Sequence, residues 1–176
     1  MPDDEQSAAP TFDDLVAANE AYAESFALSG LAARAARGLA VVTCMDSRIE
    51  PLNALGLRPG DAKIMRNAGA RVTEDVLRTL VLAVHLLGVD RILVMPHSRC
   101  AMAGKEEARV HEDIDSRTGL DTRSLEFRTV TDQIEALDTD LQRIRSWPWI
   151  PRTIPVAGAV YDVDTGRLGP LRSPEG

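Results

Sequence analysis

AKIMRNAGARVTEDVLRTLVLAVHLLGVDRILVM, residues 62–95, is the stretch whose reading decides the fold. Its two ends, Ala62–Met65 and Arg91–Met95, are short apolar runs of strand length. Between them Val76, Leu77, Leu80, Val81, Val84 and Leu87 recur at helical spacing and form one broad apolar face. Thr73 suits the N-cap position, and Glu74 and Asp75 follow in the first turn, where free backbone N–H groups favour negative charge. Gly88 is placed to end the helix. Strand, helix and strand within about thirty residues make a βαβ unit, which requires parallel strands and a right-handed crossover.

Working outward, Leu39–Thr43 is a continuous apolar run and suits a strand covered on both faces. Pro51 starts or interrupts the next segment, and Arg58-Pro59-Gly60-Asp61 is a turn. Downstream, Ile134, Leu137, Leu141 and Ile144 predict a helix from about Val130 to Arg145, ended by Trp147-Pro148-Trp149-Ile150-Pro151. Val156–Tyr161 reads as the last strand and Asp162–Gly166 as a hairpin-like turn. Residues 104–129 are polar and carry no periodic signal beyond a loop at Gly119. Phe12–Phe26 reads as a weakly amphipathic helix that is expected to pack against the domain or a partner subunit. Residues 31–37 form a short helix or an extended linker. Residues 1–11 are expected to be a disordered tail, leaving 12–176 as a single domain. The fold class is α/β, a central and mostly parallel sheet flanked by helices.

Composition narrows the function. The chain has 176 residues, 44% hydrophobic and 27% charged, enough to bury a core without disulfides. A formal net charge of −7 weighs against nucleic-acid binding, which rewards concentrated Lys and Arg. Residues 1–11 are acidic and polar, unlike a secretory leader. Arg78 and His85 interrupt the longest apolar stretch, so no membrane partner is expected. The expected location is cytoplasmic, where a lone pair of cysteines points to metal binding or catalysis before a disulfide.

Those two cysteines each follow a predicted strand, Cys44 in Cys44-Met45-Asp46-Ser47-Arg48 and Cys100 in His97-Ser98-Arg99-Cys100. If the strands are parallel, Cys44 and His97 emerge along the carboxyl edge of the sheet, where open α/β folds place their ligands. Two thiolates and an imidazole suit zinc, and three ligands leave the fourth position open for catalysis. Buried cysteines with a satisfied histidine, and a redox pair, are the competing readings. The lack of a Cys-X-X-Cys weighs against the redox pair. Asp46 is positioned to ligate the metal or to accept a hydrogen bond from its water, with Arg48 holding the carboxylate in a two-pronged bond. A solvated surface pair is the competing reading for these two.

The segments Cys44-Met45-Asp46-Ser47-Arg48 and His97-Ser98-Arg99-Cys100 together resemble the beta-class carbonic anhydrase family, whose pattern is Cys-X-Asp-X-Arg followed by His-X-X-Cys. Gly60-Asp61-Ala62, Arg66-Asn67-Ala68-Gly69, the helix Thr73–Leu87 and residues 156–163 extend the resemblance over nearly the whole chain after the tail, in the manner of the compact bacterial subgroup. The resemblance implies a zinc-dependent carbonate dehydratase acting on CO2 and bicarbonate, with Cys44, His97 and Cys100 as Zn2+ ligands and Asp46 and Arg48 as the catalytic pair. It implies that Asp46 stands as a catalytic partner or a fourth ligand depending on state. It further implies a homodimer or dimer-based oligomer, with the N-terminal helix packed on the partner.

Two positions depart from the family pattern. Arg99 stands where a small, neutral or acidic residue is common, and is expected either to draw bicarbonate inward or to pair with a nearby carboxylate. Ala101 replaces a frequent glycine, with the expectation of a crowded turn or a narrowed pocket. Of the other histidines, His85 is expected to be structural, and His111 is a candidate proton shuttle. The alternatives to CO2 hydration are hydrolysis of carbon disulfide or carbonyl sulfide on the same scaffold, and a non-enzymatic zinc-binding structural or interaction protein.

Overall fold

The computed structural model describes residues 11–173, so the tail expectation for residues 1–11 lies, apart from Thr11, outside the described residues. The chain divides into two compact units at Leu31/Ala32. The first contains helix α1, Asp13–Glu24, with Asp13 and Asp14 in its first turn. None of its residues is buried. Phe12, Leu15, Val16, Tyr22 and Phe26 are exposed, and their spacing makes a helical stripe. Tyr22 and Phe26 meet edge to face at 5.6 Å.

The second unit runs β1 (Leu39–Cys44), α2 (Pro51–Ala54), β2 (Ala62–Asn67), a 3-10 turn (Ala68–Ala70), α3 (Glu74–Leu86), β3 (Arg91–Met95), α4 (Glu107–Thr118), α5 (Gln133–Arg145) and β4 (Val156–Gly158). Its sheet has the order β2-β1-β3-β4, and every pairing is parallel. Residues 32–37, ahead of β1, form turns and no helix.

Alternation divides the core into two layers. Ala40, Val42, Ile92, Val94 and Val156 pack with Val76, Leu77, Leu80 and Ala83 of α3 and with Leu137, Leu141 and Ile144 of α5. Val41, Leu93 and Met95 face the other way, into a smaller cluster with Ile49, Ala70, Cys44 and Cys100. The two long helices therefore cover one face, and the other is closed by α2's neighbours and the turns that carry the cysteines.

Local chemistry sets the helix ends. Thr73 caps α3 by accepting from Val76 N–H at 3.4 Å. Asp132 caps α5 by accepting from Ile134 and Glu135 N–H, which starts that helix at Gln133 rather than near Val130. Ile134, read as part of the apolar face, is exposed in this first turn. Helix α4 lies in the stretch that carries no periodic signal. Only Ala108, Val110 and Ile114 are apolar in it, and none of its residues is buried. Gly119 ends it in the left-handed conformation, φ 69°, with its N–H donating to the Asp115 carbonyl.

The last strand is shorter than the expected Val156–Tyr161, but the chain continues beside β3. Ala159 N–H donates to Val94 O, and Tyr161 N–H donates to Pro96 O at 2.8 Å. The Asp162–Gly166 turn forms as expected, closed by Asp162 N–H to Arg167 O and Gly166 N–H to Asp162 O. No helix among the described residues is long and apolar enough to cross a membrane.

Leu141, on the core-facing side of α5, is wholly buried in the cluster with the sheet. Leu141→Ala is expected to destabilise the protein by about 2–5 kcal/mol, the range for buried leucines truncated in a packed core. Denaturant unfolding would read this, and a loss within about 0.5 kcal/mol would contradict the described packing.

Candidate metal centre

From β1 the chain moves outward to β2, then returns through α3 to β3 on β1's other side. The carboxyl ends of β1 and β3 therefore border the crevice where the winding direction reverses. Cys44 is the last residue of β1, and His97 lies two residues beyond β3. His97 is fixed by a parallel bridge to Tyr161 and by Gln133 of α5, whose Nε2 donates to its carbonyl at 2.9 Å. Ser98 N–H donates to Tyr161 O at 2.8 Å, and Ser98 Oγ accepts from Val163 N–H at 3.1 Å. Arg99 then adopts φ 53°, the left-handed region that side chains rarely enter, at the turn that leads into Cys100.

This path brings together the residues singled out in the sequence. One ligand atom each from Cys44, His97 and Cys100 lies within 4.8 Å of the others, and all three residues are buried. The sulfurs are 4.0 Å apart. His97 Nδ1–H donates to the Ser98 carbonyl at 2.9 Å, which leaves the Nε2 lone pair free. That Nε2 is buried and has no hydrogen-bond partner. A buried polar atom without a partner is costly, and two sulfurs beside it complete a donor set that suits a borderline-soft cation. The cluster is consistent with a zinc-binding site.

The electrostatics are equally local. The two thiols share one hydrogen bond, and this contact lowers the Cys44 thiol against the opposing effect of burial. The main-chain N–H groups of Asp46 and Gly69 assist. The same contact, with burial, pushes Cys100 up. Asp46 accepts from Arg48 at three points: its N–H at 3.0 Å, Nε at 2.9 Å and Nη2 at 2.8 Å. The Arg48 hydrogen bonds hold the Asp46 carboxyl well below the usual carboxylate range. Asp46 Oδ2 is 3.7 Å from His97 Nε2, so this anion borders the cluster and is no remote surface pair. Arg48 Nη2 also reaches the Arg99 carbonyl at 3.3 Å.

The departing residues resolve as follows. The Arg99 side chain pairs with the Asp164 carboxylate in the Asp162–Gly166 turn. Ala101 is exposed and lies outside the left-handed region, so its backbone does not demand glycine. His85 Nε2 sits 2.8 Å from the Trp149 carbonyl, and His111 Nδ1 sits 2.9 Å from Thr122 Oγ1. Neither belongs to the cluster. Sequence reading assigned no role to Arg66, Gln133 or Ser98, which bind main-chain groups around the cluster. Arg66 stood in the Arg66-Asn67-Ala68-Gly69 segment of the resemblance, and strand register, which sets it opposite Thr43, shows what it can reach.

The shared hydrogen bond lowers the first ionisation of the Cys44–Cys100 pair and, with burial, raises the second. Metal-free protein is expected to show the ultraviolet absorbance of one thiolate appearing below the ordinary thiol range, with the second thiol ionising above it. Cys100→Ala should move the Cys44 transition upward by removing its hydrogen-bond partner. Two thiols titrating together near about 8.5 would contradict the shared hydrogen bond.

Comparison with known proteins agrees with this site. Residues 39–118 match the family model described as carbonic anhydrase. Beta-carbonic anhydrase 1 of Mycobacterium tuberculosis is 34% identical over 157 residues, 89% of this chain and 94% of the relative. A carbon disulfide hydrolase of Acidianus sp. is 32% identical over 155 residues, 75% of this chain and 76% of that protein. The crystal structure of carbonic anhydrase from Streptococcus mutans superposes with a TM-score of 0.84 at 38% identity, covering 93% of this chain and 97% of the other. Likeness of this depth in both sequence and backbone is the mark of common descent, and the chain belongs to the beta-carbonic anhydrase family.

Proposed function

We propose that this protein is a zinc-dependent carbonic anhydrase that interconverts CO2 with bicarbonate and a proton. Cys44, His97 and Cys100 are the zinc ligands in this reading, and Asp46 and Arg48 are the catalytic pair. The observation that carries it is the buried Cys-His-Cys cluster with an unpartnered His97 Nε2 and an ionised carboxylate 3.7 Å away.

Zinc, when bound, supplies Lewis acidity that brings the ionisation of water close to neutrality. The residues do the rest. Asp46, kept anionic and acceptor-only by Arg48, takes a hydrogen bond from the reacting water and sets the direction of its lone pair toward CO2. Because its basicity is so low, Asp46 orients the water without removing its proton, which leaves to buffer. Ser98, through the His97 Nδ1–H bond, reserves Nε2 for the metal. Ala101 is exposed and Arg99 is drawn off to Asp164, which favours an accessible centre over an occluded, non-enzymatic one.

Carbon disulfide is a linear analogue of CO2, and the Acidianus relative bears the name carbon disulfide hydrolase. Parallel turnover assays on CO2, carbonyl sulfide and carbon disulfide separate the two readings. Asp46→Asn should keep zinc and lower CO2 hydration on the order of 100-fold; near-normal turnover would remove Asp46 from the mechanism. Cys44→Ser should lose both zinc and turnover, and a variant that still held one zinc tightly would exclude Cys44 as a ligand.

We read residues 12–176 as one catalytic domain whose α1 stripe packs on a partner subunit in a homodimer. The support is that stripe, with Phe12 at the N-cap 75% and Leu15 59% exposed and no residue of the helix buried. Two free thiols fit a reducing, cytoplasmic location. Sedimentation should give a dimer for the wild type and a shift toward monomer for Phe12→Asp combined with Leu15→Asp. A monomeric wild type at micromolar concentration would sink this assembly.

A further inference from the structure

Arg66 is the penultimate residue of β2, in register with Thr43, and so stands beside the point where β1 ends. Its guanidinium crosses to the neighbouring chain and donates twice. Nε reaches the Cys44 carbonyl at 2.9 Å, and Nη2 reaches the Asp46 carbonyl at 2.6 Å. The two acceptors flank Met45, whose own N–H donates to Asn67 O at 2.9 Å. Three successive residues leaving β1 are thus tied to the end of β2. A planar, charged fork makes each bond stronger than a neutral donor would and fixes both carbonyls at once.

The tie matters because of where Asp46 sits. Its Oδ2 lies 3.7 Å from His97 Nε2, the unpartnered nitrogen that would hold the metal. A carboxylate is a competent zinc ligand, and a catalytic site must keep its fourth position open. Arg48 restrains the carboxylate, but it lies on the same turn and would move with it. Arg66 belongs to another strand and grips the main chain, so it supplies a fixed reference.

We propose that Arg66 is a positioning residue that straps the Cys44–Asp46 turn to β2 and thereby keeps the Asp46 carboxylate on Arg48 and off the metal position. This rests on the reading of the cluster as a zinc centre. Arg66 touches two carbonyls and no reacting atom, so it acts only through the turn.

The test compares wild type, Arg66→Met and Arg66→Lys as full chains, zinc-loaded for turnover and cobalt-substituted for visible absorption with added thiocyanate. The anion reports whether the fourth position is exchangeable. Arg66→Met should retain one metal per chain, lose about 10- to 100-fold in kcat, and no longer respond to thiocyanate. Arg66→Lys, a point charge that meets one carbonyl at a time, should recover part of both. If Arg66→Met does not fold, Arg66→Lys decides by the same two readouts. Wild-type kcat and thiocyanate response in the variant would overturn the proposal. Loss of metal in step with turnover would also overturn it, since the strap would then retain the metal rather than restrain the carboxylate. A wild type that binds cobalt and thiocyanate but hydrates no CO2 would refute the enzymatic reading, leaving the strap to be judged by the spectral response.

Discussion

The parallel ladder between β1 and β3, Leu39 opposite Arg91 through Thr43 opposite Met95, is the constraint on which the site depends. It sets two carboxyl ends side by side, so Cys44 and Cys100, 56 residues apart, bring their sulfurs to 4.0 Å. A slip of one residue would exchange the faces of every side chain in the strand. The core forbids that slip. Ala40, Val42, Ile92 and Val94 are held against Leu77, Leu80, Leu141 and Ile144, far from any chemistry. The packing of α3 and α5 therefore fixes the register, and the register fixes the ligand geometry.

Around that geometry the chain gathers arginines despite its net charge of −7. Arg48 holds the Asp46 side chain, Arg66 holds the main chain on either side of Met45, and Arg99 joins the ligand turn to Asp164. Each uses its fork on a different acceptor, so none duplicates another. The cluster they surround contains an unpartnered Nε2 and two thiols in hydrogen-bond contact. A bound cation would satisfy that nitrogen and release thiol protons, so metal binding and stability are coupled here.

Legibility in the sequence followed burial. Strand β1 was readable because it is covered on both faces, and α3 because four of its apolar positions face the core. Helix α4 was not, since it buries nothing and has too few apolar residues to mark a period. The final strand read three residues too long because beyond Gly158 only single bonds continue beside β3, Ala159 N–H to Val94 O and Tyr161 N–H to Pro96 O, without forming a regular ladder. The departure at Arg99 was legible as a departure, with its partner left as one of two expectations. The turn carrying Asp164, brought beside His97 by the β4 extension, settled it.

The sequence by itself determined the types of the buried elements, the parallel winding and the candidate residues of the cluster, because periodicity, caps and short motifs are local and depend on side-chain type. Only the tertiary structure decided which distant groups meet. That includes the sulfur–sulfur distance, the reserved Nε2 of His97, and the contacts of Arg66 and Gln133 with the carbonyls of Cys44, Asp46 and His97. Those contacts end on backbone oxygens. Every residue carries one, so the acceptor leaves no trace in the sequence, and its position exists only once the strands have paired.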